Sequence, residues 1–263
     1  MKRIFLLIFS LILILSGCSF SNSVFSGKLL NEQVKPFPPE SFFPKDLSIV
    51  AFGDSLTKGV GDTTNQGGYI SYLKTLLESQ EEIRSAEFQN FGVSGNTTKD
   101  LLNRLNNEEL QSAIQSSDAV IITVGGNDVM EVFKSNILNL KLSMFVSAQE
   151  GYSQRLREII EKIRSYNQNT QILLVGIYNP FLGWFSDIHE MQEIVTRWNK
   201  TSLDIISTFD HASLVPIEDI FLNQEESLFH TDYFHPNNLG YELIAERIIS
   251  HLTENEILDE IIE

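Results

Sequence analysis

Ser55, Asp232 and His235 are the residues of this chain whose types and spacing could do chemistry together. Serine is a weak nucleophile at neutral pH and needs an adjacent base to take its proton. His235 can serve as that base. Asp232, three residues earlier, can orient the imidazole and stabilise it once charged. The reaction such a set performs is acyl transfer, whose tetrahedral intermediate carries an oxyanion that needs preorganised donors. Three donors are expected: the backbone N–H of Ser55, the N–H of Gly92, which has no side chain to block a ligand, and the side-chain amide of Asn127. Asp54 and Asp128, beside these positions, read as turn-forming residues.

Each residue taken alone has a plainer reading. Ser55 in Gly53-Asp54-Ser55-Leu56 could be a helix N-cap. It is not the nucleophile elbow of α/β-hydrolases, because the second glycine of that pattern would fall on Thr57. His230, Asp232 and His235 stand close enough to suggest a metal, but no further Cys or His cluster offers the remaining ligands, so neither a metal nor another cofactor is expected. His189, His211, His230 and His251 have no motif around them.

The elements that must position these residues alternate between strand and helix signals. Short β-rich runs are expected at residues 47–52, 88–91, 119–124, 172–177 and 213–217. Helical apolar spacing covers 69–78, 99–110, 154–166, 191–209 and 238–252. Strands separated by helices imply right-handed crossovers. The expected fold is therefore α/β, a three-layer α/β/α flavodoxin-like sandwich with a five-stranded parallel sheet. Gly53-Asp54-Ser55-Leu56, Asn90-Phe91-Gly92 and Gly125-Gly126-Asn127-Asp128 each follow a strand, where such sheets place their ligands. Residues 129–152 and 178–185 leave the same edge rich in apolar side chains, among them Met130, Phe133, Leu138, Phe145, Phe181, Trp184 and Phe185. They read equally as a lid or acyl groove and as packing onto the core.

With Asp232-Tyr233-Phe234-His235-Pro236, these motifs make four blocks in order, and the chain resembles the SGNH hydrolases, also called the GDSL lipase/esterase family. The family's Ser, Gly, Asn and His fall on Ser55, Gly92, Asn127 and His235. Its catalytic acid falls on Asp232 and its oxyanion donors on Ser55, Gly92 and Asn127. The resemblance runs from about Leu47 to Leu252. It implies metal-independent ester or thioester hydrolysis through an acyl-serine intermediate and leaves the substrate open.

The N-terminus points to the cell envelope. Lys2 and Arg3 precede an apolar run over residues 4–15, broken only by Ser10, and then Leu15-Ser16-Gly17-Cys18. The run is short for a membrane span and has the proportions of a secretory signal. It resembles a bacterial lipoprotein signal in which Cys18, the single cysteine of the chain, receives lipid; an ordinary signal peptide is the alternative. The organisation expected is a signal peptide over 1–17, a Pro-rich tether over 18–46, a hydrolase domain over 47–253 and an acidic C-terminal tail over 254–263. The net charge of −16 repels nucleic-acid phosphates, so no nucleic-acid partner is expected. The function expected is a serine hydrolase acting on a small-molecule or lipid ester, held at the cell membrane by a lipid anchor and facing away from the cytoplasm. The alternative is a non-catalytic binding lipoprotein on the same fold.

Overall fold

The computed structural model describes residues 43–182, 189–222 and 225–262. Cys18, the signal segment and nearly all of the tether lie outside the described residues, as do Trp184 and Phe185.

Five strands form one sheet: β1 (Lys45–Gly53), β2 (Ile83–Gly92), β3 (Ala119–Thr123), β4 (Gln171–Val175) and β5 (Ala212–Val215). Every pairing is parallel and the order is β2-β1-β3-β4-β5. The expected parallel α/β architecture is the one observed. β3 and β4 are buried at every position, as unbroken apolar runs in the middle of a parallel sheet must be. β2, at one edge, instead alternates between covered and exposed residues.

Side-chain alternation along the strands divides the core in two. Val50, Phe52, Val120, Ile122, Ile172 and Leu174 point to one face. That face is covered by α3 (Thr98–Arg104), α4 (Glu108–Gln115), α5 (Gly126–Asn136), α6 (Leu142–Tyr166) and α7 (His189–Ile206). Ile49, Ala51, Ile121, Leu173 and Val175 point to the other. There they meet α2 (Tyr69–Glu78), α10 (Asn238–Glu254) and α11 (Ile257–Ile262). Short helices α1 (Ser55–Lys58), α8 (Glu218–Phe221) and α9 (Glu225–Leu228) complete the described elements.

Several boundaries differ from the sequence reading. The helix expected over 99–110 is two helices, because the Asn107 side-chain Oδ1 accepts the Leu110 N–H at 3.0 Å and starts α4 afresh. α6 begins at Leu142 rather than near residue 154. Phe145, Tyr152, Leu156, Ile159, Ile160 and Ile163 form its buried stripe, which runs through Gly151. β1 starts two residues before Leu47, and the Lys45 ammonium donates to the Ile261 carbonyl. Residues 254–263, read as an acidic tail, include α11, whose Leu258 and Ile261 are buried beneath the sheet.

Candidate active site

β1 ends at Gly53, and the chain turns at once into α1. A side chain on Gly53 would stand 2.2 Å from the Thr123 hydroxyl, so the turn closes only with glycine. Asp54, not Ser55, caps α1: its carboxylate accepts the Leu56 N–H at 3.0 Å and the Thr123 hydroxyl at 2.8 Å. Ser55 is therefore the first helical residue rather than the cap, and it is buried at 3% exposure. The Thr57 hydroxyl joins Thr123 at 2.8 Å and Tyr69 at 3.1 Å, so a buried polar chain runs beneath the serine. Burial pushes the Asp54 carboxyl up to about 6, against the opposing pull of the Thr123 hydroxyl and the Leu56 N–H.

Asp232 and His235 share a tight loop before α10. His235 Nδ1 lies 2.6 Å from Asp232 Oδ2, while Oδ1 accepts the backbone N–H groups of Phe234 and His235 at 3.0 Å each. The His230 N–H donates to the His235 carbonyl at 2.8 Å and the Tyr233 N–H to the His230 carbonyl at 2.9 Å, which closes the loop on itself. Tyr233 takes a left-handed conformation, φ 55°, to make that turn. Burial works against the Asp232 charge. The His235 ring and the two backbone N–H groups outweigh it and hold the carboxyl below its usual range. An ionised carboxylate only accepts, so in the neutral imidazole the proton sits on Nδ1 and the lone pair on Nε2.

Two contacts hold this loop in place. The Tyr178 hydroxyl, just past β4, donates to the Phe234 carbonyl at 2.7 Å. Asn237 caps α10 through the Gly240 N–H at 3.0 Å, and its amide donates to the Ser227 and Phe229 carbonyls. The segment after α1 packs against the loop at Gly61, where a side chain would meet the Pro236 carbonyl at 2.4 Å and His235 Cβ at 3.3 Å.

Asn127 stands in the first turn of α5, entered through Gly125 at φ 115°. Its side-chain amide donates to the Asn96 carbonyl at 3.0 Å, which leaves the second amide hydrogen for the cavity. Asp128, next to it, is buried. It accepts the Thr98 N–H at 3.0 Å and the Thr98 hydroxyl, and it lies 3.3 Å from the Arg155 guanidinium. Burial raises its carboxyl above the usual value against these bonds. Asp54 and Asp128 thus act as the turn and anchor residues expected of them.

Gly92 does not fit its expected role. Its N–H is already given to the Asn90 side-chain carbonyl at 2.8 Å, and a Cβ there would stand 2.3 Å from the Lys58 nitrogen. Gly92 is a packing glycine against α1, with no free donor to offer an oxyanion. Gly95 is placed differently. It has φ 83° and open space where a side chain would stand, and it lines an open cleft together with Asn127. Ser94-Gly95-Asn96 is a legible turn signal in the sequence.

The sequence also gave no hint of Arg104. From α3 its guanidinium donates to the Asn96 side-chain carbonyl at 2.9 Å and to the Phe91 carbonyl at 2.7 Å. It also reaches the Gly53 carbonyl at 3.4 Å. It lies over the Phe52 ring at 5.1 Å. One side chain therefore ties the ends of β1 and β2 to the turn that holds Asn127.

Ser55, Asn127 and Phe234, the neighbour of His235, line one cavity. Its remaining wall is largely apolar: Leu56, Val124, Ile177, Tyr178 and Pro180. Of the segments read as a lid or groove, Tyr178 and Pro180 face this cavity. Phe181 is in the core, 4.8 Å from the Phe133 ring. Residues 129–152 span the end of α5, the link over 137–141 and the start of α6, with Met130, Val132 and Phe145 buried and Ile137, Leu138 and Leu142 exposed.

Residues 51–243 match the GDSL-like lipase/acylhydrolase family. The chain is 35% identical to the uncharacterised protein YpmR of Bacillus subtilis, over 94% of each chain. It is 26% identical to the spore germination lipase LipC of Bacillus licheniformis, over 77% of this chain and 94% of LipC. The crystal structure of the lipase Lip_vut3 from a goat rumen metagenome superposes with a TM-score of 0.70 at 24% identity, over 78% of this chain and 96% of that one. The chain belongs to the GDSL-like lipase/acylhydrolase family and is an ester hydrolase of the esterase or lipase type.

Proposed function

We propose that Ser55 is the nucleophile, His235 the general base and Asp232 the residue that orients it. The observation that carries this reading is the Asp232–His235 pair at 2.6 Å, on a loop whose Phe234 lines one cavity with Ser55 and Asn127. His235 Nε2, which holds the lone pair of the neutral ring when Nδ1 donates to Asp232, takes the Ser55 proton as Oγ attacks the ester carbonyl. The developing oxyanion is received by the Ser55 N–H, the Gly95 N–H and the Asn127 amide, with Gly95 in the role first given to Gly92. The imidazolium then protonates the leaving alcohol, and an acyl-serine remains. Water, deprotonated by His235, releases the acid.

The substrate is an ester whose acyl part sits against the apolar wall of Val124, Ile177, Tyr178 and Pro180. In this reading the protein works at the cell envelope, outside the cytoplasm, held by lipid on Cys18. The reading draws on the signal-like residues 1–17. LipC, one of the relatives, is a lipase, which is consistent with a lipid ester.

The test is a p-nitrophenyl ester panel from acetate to palmitate, run beside Ser55→Ala. Turnover should vanish in the variant while its circular dichroism stays unchanged, and an organophosphonate should add its mass to Ser55 in the parent only. Retained turnover in Ser55→Ala would sink the covalent mechanism.

A further inference from the structure

α6 extends past the sheet it covers. Gly125, just beyond the end of β3, is level with Tyr152, since a side chain at 125 would meet that ring at 3.2 Å. A helix rises about 1.5 Å per residue, so the part of α6 before Tyr152 stands roughly 15 Å beyond the edge that carries Ser55 and Asn127. At this outer end the apolar side chains are uncovered. Leu138 is 100% exposed, Ile137 62%, Val146 44% and Leu142 42%. Leu142 and Val146 lie one turn apart on the same face of α6, while Phe145 points into the core.

The charge changes sign here as well. The whole chain carries −16, yet between Glu131 and Glu150 it has Lys134 and Lys141 and no acid. Both lysines are exposed. An open cleft lined by Asn127, Met130, Lys134 and Ser135 runs along α5 from the candidate active site toward this tip.

The geometry points to residues 137–146 as a docking surface for a phospholipid bilayer. Ile137, Leu138, Leu142 and Val146 enter the acyl layer, and Lys134 and Lys141 meet headgroup phosphates. Apolar insertion carries the attachment, because the acidic remainder of the molecule opposes a strongly anionic surface. A second copy of this chain is the weaker occupant, since it would bring the same −16 to the contact. Docked this way, the edge holding Ser55 faces the bilayer and ester bonds at headgroup depth come within reach. The docking does not depend on hydrolysis, so Ser55→Ala should dock as well as the parent.

The experiment places one environment-sensitive fluorophore on Leu138→Cys in full-length Cys18→Ser protein and adds mixed phosphatidylcholine–phosphatidylglycerol vesicles. Emission should shift to the blue. A fluorophore on Glu161→Cys, exposed on the same helix toward the opposite sheet edge, should not shift. Adding Ile137→Ser and Leu142→Ser should weaken the vesicle response by roughly tenfold or more. No shift at position 138, or an equal shift at 138 and 161, would overturn the proposal. A shift that needs no vesicles and grows with protein concentration would overturn it too, by giving the tip to a second copy.

Discussion

Two glycines near the site differ in what a methyl group would do. At Gly92 a Cβ would fall 2.3 Å from Lys58 N and 2.5 Å from the Thr57 carbonyl carbon, both backbone atoms of α1. Gly92→Ala should therefore destabilise the domain by about 3 kcal/mol or more, since backbone cannot give way as a side chain can. Gly95→Ala meets nothing within 4 Å and has only its left-handed φ of 83° to maintain, a cost of about 1–2 kcal/mol. Urea denaturation of the two variants checks the order. Equal losses would remove the distinction between a packing glycine and a donor glycine.

Asp54 sets a second residue-scale expectation. Its folded carboxyl, pushed up to about 6 from an ordinary 3.8, binds its proton more tightly than in the unfolded chain. Its contribution to stability is thus full below pH 3.8 and is lost as pH rises through about 6. Two pKa units correspond to about 3 kcal/mol. Asp54→Asn removes the titration, so its stability relative to the parent should improve by up to about 3 kcal/mol between pH 4 and pH 7.5. Asp232, held low, works in the opposite sense: its contribution is present above its unfolded pKa and fades as pH falls through the lower folded value. A difference between parent and Asp54→Asn that does not change with pH would show that Asp54 titrates normally.

At the scale of elements, the site depends on how strand ends are tied together. Arg104 reaches the Gly53 and Phe91 carbonyls and the Asn96 side chain, and the Asn96 carbonyl in turn fixes Asn127. Arg104→Ala should leave the Phe91 carbonyl and the Asn96 side-chain carbonyl short of a donor, costing about 1–3 kcal/mol of stability. It should lower kcat about tenfold to a hundredfold through misplacement of the oxyanion donors. Arg104→Lys should restore little of either, because an ammonium lacks the planar fork that spans these acceptors. Steady-state kinetics on a soluble ester beside a melting curve separate the two effects, and full activity in Arg104→Ala would refute the positioning role.

The whole molecule combines an acidic body with a signal-like N-terminus whose single cysteine stands at residue 18. If lipid on Cys18 holds the protein at the envelope, Cys18→Ser should move it out of the membrane fraction or block its processing. Unchanged fractionation would count against the anchor. The C-terminus belongs to the same body, since Leu258 and Ile261 close the core beneath Leu47, Ile49 and Leu252.

Much of the architecture was legible in the residues, and so was the meeting of Asp232 with His235. Apolar runs of strand length ending in glycine identify β3 and β4, because a central parallel strand is buried on both sides and tolerates little else. Asp232 and His235 were legible as a pair because three residues of loop are enough to join them. The helix break at Asn107 and the length of α6 were not, since one side-chain bond and one buried stripe decide them. Nor were Arg104 and the choice between Gly92 and Gly95. Linear order states which residue types are present and how far apart they stand. Whether a given N–H is free depends on what packs beside it, and at Gly92 that neighbour is the Asn90 side chain, itself held by the Thr57 carbonyl of α1. Only the folded arrangement of β1, β2 and α1 could decide that.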